Sequence, residues 1–526
     1  MTRALIVDML ARGSGKRLST IDVVGAGPRT VAGVLEQAGV EVDLLIGEEA
    51  LHSRGVFRSY DILLVSGMTS DLPGVRRIVK LWRSECRSKP VLAGGPVWSR
   101  SRVLIESGAD IIVLGEAEAT LEELLYKAGL RDGYIDYEVL GEIRGIMYRV
   151  DGGVRETGRR PLLTPKDLSR FKASTRIASQ YPNHWALRFY VEVVRGCSNM
   201  RIPEIIRHLG QNEKPNGKYV GCAYCSVASC WGPSRSMPID RVYGEVRELI
   251  NAGVKRIVLS APDFLDYYRE EVLGKPFCSN PRSPRPNLYR IKQLLSMIYK
   301  IPEVACREVS AMIENVKPNL VGEGEAEVLG YYLEDTPVHM GVESGDDRLL
   351  RLMGRPHTLD EAINAIRLLR MNKLKPYVYL LYGLPLQDEG SVEKTIAVIP
   401  KLIEAGAEKI TLYRFTPLPH TVLENCRIGN PNTCYNKRLI EYVSRVNIEL
   451  KKRFIGRVIQ AIVSGRYKGY YVGYPVPHGP VTLIKAYRAR KSIIGYRVKV
   501  LIEKVESDRL MIGKLLKIGR RVSRGV

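Results

Sequence analysis

Short apolar runs alternate with amphipathic helical patterns along the first four-fifths of this 526-residue chain, and the alternation stops abruptly near residue 450. A sequence that repeats strand then helix can bury both faces of its strands only as a parallel sheet covered by helices, which places it in the α/β class. Residues 1–130 carry strand-like runs at Ala4–Asp8, Val40–Ile46, Asp61–Ser66, Pro90–Ala93 and Asp110–Leu114, with helices predicted at Thr30–Ala38, Gly74–Glu85 and Ala119–Lys127. Residues 131–184 read as a hairpin around Asp151-Gly152-Gly153 followed by a linker. Residues 185–430 resume the alternation with six strand candidates: Leu187–Val193, Arg256–Ala261, Val309–Glu314, Val338–Glu343, Tyr377–Tyr382 and Lys409–Phe415. Six such units predict a (β/α)6 partial barrel, with chemistry at the carboxyl ends of the strands. Residues 451–526 change to short strands separated by Gly and Pro, which predicts a small β-barrel.

Cysteine placement narrows the chemistry. Nine cysteines in 526 residues form no secreted disulfide framework. The first predicted barrel strand runs into Val194-Arg195-Gly196-Cys197, and Cys222-Ala223-Tyr224-Cys225 follows. A C-x-x-C pair puts two thiols on one tight loop and suits iron–sulfur or zinc. Cys197, Cys222, Cys225 and Cys230 could make a four-thiolate zinc knot; the first three alone could hold a [4Fe–4S] cluster.

Arg-Gly-Cys followed by Cys-x-Tyr-Cys just after the first barrel strand resembles the radical S-adenosylmethionine (SAM) family. The resemblance implies a cubane held by Cys197, Cys222 and Cys225, with SAM chelated to its open iron and cleaved reductively to a 5′-deoxyadenosyl radical. That family normally has three residues between its first two cysteines; here there are 24, an excursion of 21 extra residues. Further motifs follow at successive strand ends: Gly232-Pro233-Ser234-Arg235-Ser236, Ser260-Ala261-Pro262-Asp263, Glu314-Asn315, Gly341-Val342-Glu343-Ser344-Gly345, then Leu350, Met353, Arg355 and Thr358, and Gly383-Leu384-Pro385. By resemblance, Tyr224, Ser260, Asp263, Asn315, Glu343, Ser344 and Gly383 are expected to line the SAM site, and Arg355 to pair with the methionine carboxylate.

The amino-terminal domain is Rossmann-like and resembles the cobalamin-binding domain of many radical SAM proteins. Ser66, Gly67, Gly94, Gly95, Gly115 and Glu116 at its strand ends are the candidate contacts. The Asp-x-His-x-x-Gly ligand motif is absent, and the first histidine is His52. A domain that binds nothing is the competing reading. Methylthiotransferases keep three further cysteines here for a second cluster; this domain has Cys86 alone, which argues against their sulfur-insertion mechanism.

Formal charge is +23, and residues 451–526 hold 19 Lys and Arg against three acidic residues, a net of +16. Such a concentration is the footprint of a polyanion partner. The segment resembles a TRAM domain, a small RNA-binding β-barrel of tRNA-modifying enzymes. Arg466, Lys468, Lys485, Arg488, Arg490, Lys491, Arg497 and Lys499 are the expected phosphate contacts, and Tyr467, Tyr470, Tyr471 and Tyr474 are available for stacking or for the core. No apolar run is long enough to span a membrane and no signal peptide is visible, so a cytoplasmic protein is expected. Together these features predict a radical SAM transferase acting on RNA, with tRNA favoured, by methylation or a methylthiolation-like reaction, served by an electron donor and by cobalamin if that domain is functional. Two alternatives stand beside it: a cobalamin-linked enzyme on a small molecule or lipid, and a non-catalytic zinc-containing RNA-binding protein.

Overall fold

The computed structural model describes the chain except residues 11–21, 54, 152, 210–219, 487–490 and 524–526. It divides into two compact units: Met1–Val191 with Asp240–Val254, and Glu192–Ile239 with Lys255–Val526.

The first unit is built on a seven-stranded sheet. Five parallel strands run in the order Glu41–Ile46, Arg3–Asp8, Ile62–Ser66, Val91–Gly94, Ile111–Val113. The antiparallel hairpin Ile146–Val150 and Gly153–Glu156 extends it. The chain reverses direction across the sheet between the ends of Arg3–Asp8 and Ile62–Ser66, where a doubly wound sheet opens its ligand crevice. Strand residues such as Leu5, Ile62, Leu63 and Val91 are fully buried because helices cover both faces. Trp82, on the helix Leu72–Glu85, is fully buried with its ring centroid 5.6 Å from Phe57. The helix Ile239–Asn251, expected within the barrel, lies almost wholly in this first unit. Its Glu245 accepts a 2.6 Å bond from the fully buried Arg29. Removing one partner of such a buried pair costs about 3–5 kcal/mol, which fixes the helix in place.

The second unit holds the barrel strands. Arg256–Ser260 pairs in parallel with Ser310–Ile313, and Pro337–Glu343, Lys375–Tyr382 and Lys409–Arg414 form a parallel three-stranded sheet. A parallel bridge from Asn315 to His339 joins the two groups, and Val193 N donates to Ser260 O. Asn447, on the helix Cys434–Lys452, both accepts from Ile410 N and donates to Ile410 O, so the edge strand is capped by a side chain.

Strands Val458–Tyr467, Tyr470–Pro475, Val481–Lys485, Leu510–Arg521 and Tyr496–Val505 close into a five-stranded barrel around Val463, Ile484, Val500 and Met511. It is seated on the amino ends of the larger barrel's strands. Pro477 O accepts from Ser310 Oγ at 3.5 Å, Arg256 lies over the Tyr474 ring at 5.3 Å, and His478 packs 5.6 Å from Tyr377. Among the described residues no helix is long and apolar enough to cross a membrane.

Candidate functional site

The site grows from a sharp turn after the short strand Val194–Arg195, which pairs with Arg235–Ser236. Gly196 takes φ +78°, and a Cβ there would stand 2.3 Å from Pro233 O, so glycine is required. Cys197 N then donates to Gly232 O at 3.0 Å. Ser198 N donates to Asp266 Oδ2, and Ser198 Oγ accepts from Lys317 Nζ at 2.9 Å. Lys317 is buried between Asp263 (3.0 Å) and Asp266 (2.7 Å), and Arg269 bonds the other Asp266 oxygen. This closed network fixes the turn that presents Cys197; the two carboxylates drive the Lys317 ammonium pKa far up against the cost of burial.

The long gap between the first two cysteines is closed locally. Gly221 N donates to Arg201 O at 2.8 Å, and Asn199 Nδ2 donates to Gly354 O. The helix Ile205–His208 sends Ile205 and Ile206 into a cluster with Ala223, Met353, Leu384 and Phe415. The start of the excursion is therefore part of the core rather than a surface loop. With its ends clamped, Cys222 returns beside Cys197: Asn199 N approaches Cys197 Sγ at 3.4 Å while its side chain reaches Cys222 Sγ at 3.5 Å. Cys225 N donates to Cys222 O, closing the C-x-x-C turn.

The three thiols surround one space. Burial pushes the Cys225 thiol up to about 12, helped by the charges of Cys222 and Cys197; burial likewise raises Cys197. Buried thiols of this kind need a compensating cationic centre before they ionise, and iron supplies one. Arg355 Nη1 donates to Cys222 Sγ at 3.3 Å, a second source of positive charge. Among the described residues no three His, Cys, Asp or Glu side chains are set to hold a single ion.

Next to the thiols lies a buried polar group of Glu343, Arg355 and Tyr224. Glu343 sits at a register shift in its strand with φ +74°, a strained backbone of the kind found at functional sites. Burial raises its carboxyl, with Arg355, 3.8 Å away, pulling the other way. The Tyr224 hydroxyl is set against the Glu343 carboxyl, and the buried Arg355 Nε has no hydrogen-bond partner, so a donor stands ready for a polar cofactor. That unmatched donor beside three thiols fits SAM on a cluster. Arg355 Nη2 is already bonded to Gly341 O at 2.6 Å, so Arg355 sits against a thiol and a strand end rather than standing clear to grip a carboxylate.

Several predicted contacts are spent elsewhere. Asp263 accepts from Leu265 N and Lys317 N and pairs with the Lys317 ammonium, so it supports the cluster loop. Ser344 Oγ accepts from Asp346 N and lies 3.4 Å from Thr395 Oγ1. Gly383 packs against Gly429, where a Cβ would meet the Gly429 Cα at 2.5 Å. Ser260 Oγ donates to Glu314 at 2.7 Å. Asn315 forms the bridge to His339, and its carbonyl accepts from Phe264 N.

In the first unit, Ser66, Gly67, Gly94, Gly95 and Gly115 all lie at carboxyl ends of neighbouring parallel strands. Gly95 has φ +78°, and a Cβ on it would come 2.9 Å from Gly67 O. Bare backbone at the sheet's switch point fits a large planar ligand that needs close approach. Glu116 is a correction: it is buried and accepts from Leu163 N at 2.8 Å, tying down the following segment. One signal escaped the sequence reading. Asp8-Met9-Leu10-Ala11-Arg12-Gly13 reproduces the Asp-x-His-x-x-Gly spacing with Leu10 in the histidine position. Leu10 takes φ +55°, and its N–H donates to Asp8 Oδ1 at 2.9 Å. For a leucine that backbone is strained.

On the small barrel, Arg497 is a second correction: it donates to the carbonyls of Arg307 and Glu308 and fastens the barrel to the core. Lys485 pairs with Glu503, and Arg466 stacks on Tyr471. Tyr471 and Tyr474 are buried. Arg488 and Arg490 lie outside the described residues. Lys468, Lys491 and Lys499 are exposed. Sequence reasoning missed Lys517, also exposed and directly opposite Lys499 across two strands; strand register was the missing signal. Like charges so paired repel unless an anion lies between them.

Comparison with known proteins agrees with this arrangement. The Radical SAM superfamily model matches residues 219–399, and the B12 binding domain model matches residues 20–125. An uncharacterized protein of Methanopyrus kandleri is 38% identical over 538 residues, covering 98% of this chain and 96% of that protein. A tRNA-2-methylthio-N(6)-dimethylallyladenosine synthase of Wolbachia pipientis is 24% identical over 265 residues, 48% of this chain and 55% of that enzyme. The chain is similar in fold to the radical SAM methyltransferase TsrM of Kitasatospora setae, with cobalamin and a [4Fe–4S] cluster bound (TM-score 0.59, 15% identity, 94% of this chain and 82% of that one). It is also similar to the cobalamin-dependent radical SAM enzyme OxsB (TM-score 0.55, 14% identity, 86% of this chain and 56% of that one). The chain belongs to the radical SAM superfamily, as an enzyme that uses a [4Fe–4S] cluster and SAM and carries a B12-binding domain for cobalamin.

Proposed function

We propose that this enzyme modifies RNA, with tRNA as the substrate class, by a methyl-transfer type of reaction. The observation that carries the reading is the closed carboxy-terminal barrel with the cross-strand pair Lys499–Lys517 on its outer surface; Lys468 and Lys491 are also exposed on this barrel. Exposed lysines that neutralise phosphates release counterions and give salt-dependent binding, which would offset the repulsion within such a pair. The methylthiotransferase relatives, which act on tRNA by name, support it over about half of this chain.

In this reading Cys197, Cys222 and Cys225 would hold a [4Fe–4S] cluster, whose chemistry when bound is to pass an electron from an external donor to SAM. Arg355 donates to Cys222 Sγ, Glu343 and Tyr224 would orient the nucleotide, and Lys317 with its two aspartates keeps the Cys197 turn from shifting. Were cobalamin held at these strand ends, Leu10, in the position of the motif's histidine, would offer it a hydrocarbon side chain and no nitrogen ligand.

Filter binding of unfractionated tRNA to the full-length protein across a salt series tests the reading. Affinity should fall steeply with salt, and Lys499→Glu with Lys517→Glu should flatten the log–log slope by roughly one to two. Binding indifferent to salt and to this double change would exclude RNA docking on the barrel. A second reading, a small-molecule substrate, is favoured by the fold likeness over 81% of this chain to TsrM, whose solved complex holds tryptophan.

A further inference from the structure

The inner face of the partial barrel carries aromatic rings that the cofactor chemistry does not use. Along Pro337–Glu343, His339 is flanked by the fully buried Val338 and Met340. Along Lys375–Tyr382, Tyr377 and Tyr379 alternate with the fully buried Val378 and Leu380. Successive strand residues point to opposite faces, so His339, Tyr377 and Tyr379 share one face, and the register shift after Gly341 sets Glu343 opposite Leu380 at the carboxyl end of the same sheet. His339 lies 5.7 Å from Tyr377 and 5.4 Å from Tyr379, and Tyr379 meets Tyr413 at 5.4 Å and 80°. The column begins at His478 beneath the strands' amino ends and finishes at Tyr413, near the carboxyl end of Lys409–Arg414.

Tyr413 is 50% exposed. It pairs in register with Leu381, and Glu343 pairs with Leu380 on the other side of that strand. Two strand spacings, about 10 Å, therefore separate Tyr413 from the Glu343–Arg355 pair. The lower rings are buried packing. The top ring is different: it is held edge-to-face by Tyr379 and half open at the end of the barrel where chemistry occurs.

We propose that Tyr413, braced by Tyr379, is the platform on which a planar heteroaromatic ring of the substrate stacks beside the SAM site, a nucleobase turned out of its RNA. The assignment rests on the RNA reading above. A radical reaction needs its target atom held still, and a base out of its helix has lost the stacking partners that held it. An aromatic face restores them without reading sequence.

The test uses the full-length protein with cobalamin and saturating S-adenosylhomocysteine, so that the adenine site is already filled. Adenosine, guanosine and cytidine are titrated by calorimetry, with saturation-transfer NMR on their base protons and ribose as the ring-free control. Tyr413→Leu, which keeps apolar bulk, should weaken nucleoside binding about tenfold, while Tyr413→Phe should stay within about twofold. Equal affinity in the wild type and Tyr413→Leu overturns the proposal, as does equal binding of ribose. Nucleosides held through Tyr413 by a protein with no salt-dependent tRNA binding would keep the platform and sink the RNA reading, assigning the ring to a small heterocycle. Tight tRNA binding with nucleosides indifferent to Tyr413 would do the reverse.

Discussion

Glu270 offers the sharpest test of the energetics around the cysteine turn. It is buried, and its Oε1 accepts a 2.8 Å bond from Ser236 N, on the strand that pairs with Val194–Arg195 just before Cys197. Burial raises its carboxyl from 4.5 to about 7. Because the folded value lies above the unfolded one, the folded state holds the extra proton between them. Stability is then full below about pH 4.5, falls as pH rises toward 7, and levels off above it. At about 1.4 kcal/mol for each pH unit of that interval, the loss reaches about 3 kcal/mol. Glu270→Gln keeps an acceptor for Ser236 N and removes the charge. The variant should match the wild type near pH 4.5 and exceed it by about 3 kcal/mol at pH 8, seen as a midpoint several degrees higher in thermal melts of the metal-free protein. Parallel melting curves for the two proteins from pH 5 to pH 8 would refute the reasoning.

Two further outcomes follow from the cofactor sites. Cys222→Ala, folded normally by circular dichroism, should lose most of its iron after anaerobic reconstitution and with it the reduced-cluster EPR signal that SAM perturbs; zinc in the wild type in place of iron would overturn the cluster assignment. If cobalamin binds at these strand ends, Leu10→His would offer it an imidazole from the motif's histidine position, and the cob(II)alamin EPR spectrum should gain nitrogen superhyperfine splitting that the wild type lacks; identical spectra would place Leu10 away from the metal.

The alternating pattern made the sheet strands legible. Predicted Val40–Ile46 and observed Glu41–Ile46 differ by one residue, and the same hydrophobic run dictates both. The thiol turn was legible because Gly196 and the C-x-x-C spacing are backbone requirements written in local sequence. What the sequence could not show depends on contacts distant in sequence. Asp263 and Ser344 stand where SAM contacts were expected, but their partners are Lys317 and Thr395, 54 and 51 residues away, and spacing cannot show that a carboxylate is already paired. Arg497 looked like a phosphate ligand until Arg307 and Glu308 supplied its acceptors. Lys517 escaped for the opposite reason: its meaning comes from Lys499 across the strands.

The seating of the small barrel under the larger one sets a length scale. Pro477, His478 and Tyr474 touch the amino ends of strands whose carboxyl ends carry Glu343 and Tyr413. The eight-residue strand Lys375–Tyr382 spans about 26 Å at 3.3 Å per residue. On the proposed RNA reading, a substrate gripped by the small barrel has to bridge at least that distance to present a base at the carboxyl ends. That reading therefore makes the two barrels a fixed caliper, which would admit a folded RNA whose arms reach around the strands and pass over short single strands.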